Sequence, residues 1–167
     1  MKMSDGRIYY AENDANYHIR FVGDVRVTLC TSLSKYIDHI FSGPELKSLV
    51  LDLRDAKAVD STTLGFMAKV GLYATAKGLL PLIIVKDKSM IRLLDSMGFD
   101  ELFELEPDFP KNVEAIKELA PASSSSSNIR KEVIEAHQVL MSINSRNMEA
   151  FSKLVSDLQK ESENTNR

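Results

Sequence analysis

The sequence predicts an α/β protein: a small mixed β-sheet packed against helices, then a Ser-rich linker and a long C-terminal helix. Three observations predict it. Dense apolar runs of strand length at residues 46–53 and 79–85 alternate with segments whose apolar residues recur at helical spacing. The first 25 residues hold two β-like runs around the turn-forming "NDAN". The stretch "PASSSSSN" at 121–128 breaks the composition, and from Ile129 onward the chain has no Gly or Pro.

Element by element, "RIYYAE" and "YHIRFVGD" form a hairpin. "TLCTSLSKYIDHIF" places Leu29, Leu33, Ile37 and Ile40 or Phe41 at helical spacing, and "SGP" stops that helix. "LKSLVLDL" is apolar enough for a strand buried on both faces. A loop "RDAKAVD" leads to a helix from about Thr62 to Lys77, closed by Gly78. "LLPLIIV" is a second buried strand, and "KSMIRLLDSMGFDELF" a helix broken near Gly98. "FELEPDF" is a short edge strand, and "PKNVEAIKELA" a further helix with Pro110 near its first turn. Strand–helix–strand alternation implies parallel neighbours with right-handed crossovers. The expected organisation is an α/β domain at 1–120, a linker at 121–128 and an amphipathic interaction helix at 129–163. Ile129, Val133, Ala136, Leu140, Ile143, Phe151, Leu154 and Leu158 make its apolar stripe. A straight helix over 129–158 is about 45 Å long. The preceding domain is only roughly 26 Å across. The stripe is therefore expected to meet another subunit or a partner protein.

The chain has 167 residues and a net charge of −3, with 44% hydrophobic and 27% charged residues. Basic tracts are absent, which disfavours a nucleic-acid partner. No run reaches the ~20 apolar residues of a membrane helix, and the N-terminus lacks the apolar core of a signal peptide. The expectation is a cytoplasmic protein with no membrane insertion. Cys30 is the one cysteine, and His18, His39 and His137 are scattered, so no metal or other cofactor is expected.

The chemistry concentrates in "AVDSTTLGF", residues 58–66. Ser61 at a helix start reads as an N-cap whose oxygen accepts a first-turn N–H. It also reads as a phosphorylation site, because a helix N-terminus favours an anion. A cap can also be an acceptor. Catalysis has little support: "DSTTLG" is not a G-x-S-x-G elbow, and no His has a motif context. We expect no enzyme.

"LVLDLRDAKAVDSTTLGFMAKV" resembles the central motif of STAS domains, the fold of bacterial anti-sigma-factor antagonists. There a strand ending in Asp-Leu precedes Asp-Ser-Ser-Gly-Leu-Gly at a helix start. Asp60 and Ser61 match, Thr62 replaces the second Ser, Thr63 replaces the Gly, and Leu64-Gly65 match. The resemblance covers residues 7 to 119. It implies that Ser61 is phosphorylated by a serine kinase that is often itself the anti-sigma factor, with a phosphatase resetting the switch. The family's second contact loop, Gly-Glu-Leu-Asp, corresponds to "GDVR" at 23–26: Asp24 keeps an acid and Arg26 replaces the second one. The implied partner-binding surface is Asp24, Arg26, Asp60, Ser61, Thr62, Thr63 and Gly65. "VTLC" and the long C-terminal helix are similar to the HsbA-type antagonists of gammaproteobacteria, which act with a response-regulator-linked kinase and phosphatase. The implied role is partner-switching control of transcription by an unphosphorylated antagonist, with self-association through the C-terminal helix as a further expectation. The alternative is a STAS scaffold subunit of a lipid-transporting ABC complex.

Overall fold

The computed structural model describes residues 5–109, 113 and 116–166. Strands β1 (Arg7–Asn13) and β2 (Asn16–Val25) pair antiparallel. Asp14 and Ala15 make the turn between them, both at positive φ (52° and 63°). That is the backbone a two-residue hairpin needs to match strand twist. Ala15 is kept there by burial and by the Lys47 amide, which donates to its carbonyl at 2.9 Å.

From β2 the sheet continues in parallel through β3 (Ser48–Val59), β4 (Leu82–Ile84) and β5 (Glu104–Glu106). With β6 (Lys117–Glu118) on the outer edge of β1, the order is β5-β4-β3-β2-β1-β6. Alternate strand residues Tyr17, Ile19, Phe21, Leu49, Leu51 and Leu53 join one apolar core. They meet Leu33, Ile37 and Ile40 of α1 (Cys30–Ser42) and Leu64, Phe66 and Met67 of α2 (Ser61–Ala76) there. Helix α3 (Lys88–Ser96) adds Met90 and Leu94.

This is the expected mixed sheet with helices, and several boundaries differ. Strand β3 runs six residues past Leu53, through most of the stretch expected as a loop, because β2 also extends and pairs with it to Val25↔Val59. Strand β4 is shorter than its apolar run, which is interrupted near its start by the strand-breaking Pro81. The helix at 88–103 ends at Ser96, and Gly98 takes the left-handed conformation (φ 83°) before a 3₁₀ turn at Phe99–Glu101. The helix expected over "PKNVEAIKELA" gives way at Lys117–Glu118 to β6, since the free edge of β1 offers backbone partners there. Residues 110–112 and 114–115 of that segment lie outside the described residues.

The C-terminal segment is two helices rather than one, α4 (Ser126–Ile143) and α5 (Ser145–Thr165). Asn144 is extended (φ −156°, ψ 170°) and caps α5 by accepting the Asn147 amide at 2.8 Å. The Ser-rich stretch is partly helical: Ser125 caps α4, and Ser126 to Asn128 form its first turn. The break lets α4 and α5 lie against each other while α4 packs on α2. Ala136 and Leu140 thereby enter the α/β core. A straight helix would have overshot the domain, and the turn at Asn144 removes that mismatch.

The opposite sheet face buries a charge. Asp52 is 1% exposed. Its carboxylate accepts from Arg54 Nε (3.1 Å), Nη2 (2.8 Å) and N (3.1 Å), and lies 3.5 Å from His18 Nε2. Burial alone would raise its pKa, but the hydrogen bonds from His18 and Arg54 outweigh burial and hold it well below the usual carboxylate range. A depressed carboxylate stabilises the fold above its unfolded pKa of about 3.9, and that contribution is lost as pH falls toward the folded value. Asp52→Asn is expected to cost about 2 kcal/mol at pH 7. It should also flatten the loss of stability below about pH 4. Urea unfolding of both proteins from pH 7 to pH 2.5 checks this; an unchanged acid limb in the variant contradicts it.

Candidate functional site

The end of β2 and the start of α2 are joined by one carboxylate. Asp60 is extended (φ −86°, ψ 171°) and is the N-cap of α2. Its Oδ1 accepts from the Thr63 amide and the Thr63 hydroxyl, both at 2.8 Å. Its Oδ2 accepts from the Val27 amide at 2.7 Å, across 33 residues of sequence. Its own amide donates to the Val25 carbonyl at 3.2 Å. These bonds fix the "GDVR" segment beside the first turn of α2. Gly23 (φ 75°) lies at a register shift between β2 and β3. Beyond it Arg26 Nε donates to Asp24 Oδ2 at 2.7 Å.

Capping by Asp60 changes the role of Ser61. The Ser61 hydroxyl is not the cap, so it is free to point off the helix. It is half-buried, whereas Thr62 and Thr63 are buried. Gly65 is buried too, and a Cβ there would collide with the Ala136 carbonyl of α4. Of the seven residues expected at the partner surface, Asp24, Arg26, Asp60, Ser61 and Thr63 are gathered by the Asp60 bonds. Thr62 and Gly65 lie inside the packing of α2.

The partner of Ser61 is a residue with no role on sequence grounds. Ser61 Oγ lies 2.7 Å from His137 Nε2. His137 is 2% exposed, and its Nδ1 lies 2.7 Å from the Val133 carbonyl of its own helix. A carbonyl only accepts, so Nδ1 carries a proton; in the neutral ring Nε2 then accepts the Ser61 hydroxyl proton. Phe151 from α5 packs on this imidazole in a T-shaped pair, with ring centroids 5.1 Å apart.

Other α4 side chains grip the same region. Glu135 accepts from Lys69 Nζ at 2.6 Å. Glu132 Oε2 accepts from Thr31 Oγ1 at 2.9 Å and from Cys30 Sγ at 3.1 Å. Burial, then Glu132, push the Cys30 thiol up to about 12, so it stays protonated and inert at neutral pH. The polar spacing Glu132–Glu135 is visible in the sequence but names no target without the fold. Groups of His, Cys, Asp and Glu able to hold a metal are absent among the described residues. No described helix is long and apolar enough to cross a membrane.

No family model matches the chain, and no curated protein matches it. Among solved structures, the chain is similar to the crystal structure of an anti-sigma factor antagonist from Mycobacterium paratuberculosis. The two are 18% identical, with a TM-score of 0.49 over 63% of this chain and 88% of that one.

Asp60→Ala is expected to destabilise the chain by about 2 kcal/mol, combining loss of a helix cap with loss of the buried bond to Val27. Amide exchange should quicken at Val27 and Thr63 and stay unchanged in β4. Equal stability of the variant in urea would show that Asp60 does not hold this junction.

Proposed function

We propose that this chain is a phosphorylation-switched binding protein of the anti-sigma-factor-antagonist type, and a binding module rather than an enzyme. The observation that carries the reading is the division of labour at the start of α2. Asp60 does the capping and Thr62 and Thr63 are buried, which leaves Ser61 as the one half-buried hydroxyl of the cluster, bonded to a side chain of α4 and not to its own helix. In the modification, a kinase transfers the γ-phosphoryl group of a nucleoside triphosphate. A bond forms between Ser61 Oγ and phosphorus, the bond to the β-phosphate oxygen breaks, and the hydroxyl proton leaves. The product carries about −1.5 to −2 charges at one point. Asp24 and Asp60 already stand at this junction, so the added charge repels an acidic partner surface and makes any contact costly to desolvate.

In this reading the unphosphorylated chain binds an anti-sigma factor or serine kinase through Asp24, Arg26 and Ser61, and a phosphatase restores binding. The HsbA-type subgroup, with its response-regulator-linked kinase and phosphatase, is the finer assignment we favour. It rests on the "GDVR" and "VTLC" segments and the C-terminal helices.

Two outcomes test this. Incubated with an anti-sigma-factor-type serine kinase and labelled nucleotide, the wild-type chain should take up one phosphate and Ser61→Ala none, with unchanged circular dichroism. Robust labelling of Ser61→Ala at Thr62 or Thr63 would falsify the assignment. The Asp24 side chain is only 13% exposed, so Asp24→Lys is read beside the isosteric Asp24→Asn: both should weaken binding to that kinase, the Lys form at least tenfold. An unaltered affinity would remove Asp24 from the contact.

A further inference from the structure

The residue read as the acceptor is covered by the protein's own C-terminus. The 2.7 Å between Ser61 Oγ and His137 Nε2 has room for a proton and nothing larger. Directly along α2, Gly65 meets the Ala136 backbone with no space for even a methyl group. Lys69, two turns from Ser61, is tied to Glu135. A kinase cannot place a phosphoryl donor on Ser61, nor can a partner lie along this face, while α4 is seated.

The seat is also of a kind that can be given up. Its specific contacts are polar: Ser61 to His137, Lys69 to Glu135, and Thr31 and Cys30 to Glu132. The apolar contacts are those of Ala136 and Leu140, which enter the core, with Val139, Ile143 and Phe151 packed at its margin. Helix α5 contributes Phe151 against His137, the buried Val155, and Asn147, whose Nδ2 lies 2.9 Å from both the Met97 and Leu140 carbonyls. Met148 and Leu154 of α5 stay 48% and 41% exposed. The chain is anchored before the hairpin, where Ser32 Oγ accepts from the Ala122 amide and donates to the Ala120 carbonyl, both at 2.9 Å. Ser123 and Ser124, between that anchor and the Ser125 cap, are the residues about which the hairpin would turn.

We propose that the α4–α5 hairpin is an intramolecular cover, and that its seated position and a phosphoryl group on Ser61 exclude each other. The hairpin competes with kinase and partner for one face of α2. An unseated fraction of molecules sets how fast Ser61 is modified and lowers the apparent affinity of any partner by that same fraction. A phosphoryl group, once attached, keeps α4 off. This rests on reading Ser61 as the acceptor, but the exclusion itself is measurable without any kinase.

The test uses the full chain in three forms: unmodified, with phosphoserine incorporated at position 61 during translation, and with Ala136→Arg, which cannot seat against Gly65. Each is treated briefly with N-hydroxysuccinimidyl acetate, and acetylation of each lysine is read by mass spectrometry. Lys69 reports the cover, and exposed Lys57 on β3 is the internal reference. Lys69 should acetylate at least fivefold faster, relative to Lys57, in both the phosphoserine and the Ala136→Arg chains than in the unmodified chain. If Ala136→Arg loses cooperative unfolding, Asn147→Ala, which frees the far end of the hairpin, replaces it as the open reference. A phosphoserine chain that labels Lys69 at the unmodified rate while the open reference labels fast overturns the exclusion. Equal rates in all three overturn the cover itself. A kinase that never labels Ser61 would instead sink the proposed function and leave the lysine rates intact.

Discussion

The carboxylate of Asp60 is the constraint on which the site depends. One oxygen closes the first turn of α2 through Thr63, and the other holds the Val27 amide. A helix start and a strand end that are 33 residues apart in sequence thereby become one surface. The Val25↔Val59 pairing brings the two segments alongside, and this second bond fixes the residues that follow β2 against the helix start. Because Asp60 supplies the cap, Ser61 is relieved of that duty. A serine that must cap keeps its oxygen on the backbone N–H groups; one that follows an aspartate cap can turn its oxygen outward. The chemical availability of Ser61 is thus a consequence of the residue before it.

The second constraint is the absence of a side chain at Gly65. Two helices approach closely only where one presents a small residue, and here Gly65 of α2 faces Ala136 of α4. That approach brings His137, the next residue along α4, within hydrogen-bonding distance of Ser61 one turn back along α2. It also sets Glu135 on Lys69. The two ends of the α2 contact are polar pairs and the middle is backbone against backbone. Such an interface is specific in register, with Leu140 one turn on from Ala136 adding apolar contact with the core.

Most of the sheet was legible in the sequence because it is written in periodicity. The alternation through residues 17–21, the apolar runs ending at Leu53 and Val85, and the Asp-Ser-Thr-Thr cluster at the head of a helix all carry local signals. The misjudged elements are those set by pairing across the fold. "RDAKAVD" is polar enough for a loop, and it is mostly strand because β2 extends alongside it. Lys117 and Glu118 follow a helical pattern, and they are strand because β1 has a free edge. Ser61 looks like a cap only if Asp60 is ignored. His137 carries no local signal at all, since its meaning comes from a residue 76 positions earlier.

The turn at Asn144 was nearer to legibility. "SINSRN" at 142–147 strings together residues that favour caps over helix interiors, and Asn144 with Asn147 three residues on is an N-terminal pattern. The apolar stripe runs unbroken through it, and stripe continuity outweighs a weak break when a segment is read alone. What decides between them is length: a helix spanning the whole stripe is longer than the domain it would cover. The break turns that excess back, so that α5 lies on α4 and Phe151 packs on the imidazole facing Ser61. The apolar residues beyond the turn thus serve the site from behind. Phe151 packs on His137, whose ring is held between the Val133 carbonyl and the Ser61 hydroxyl.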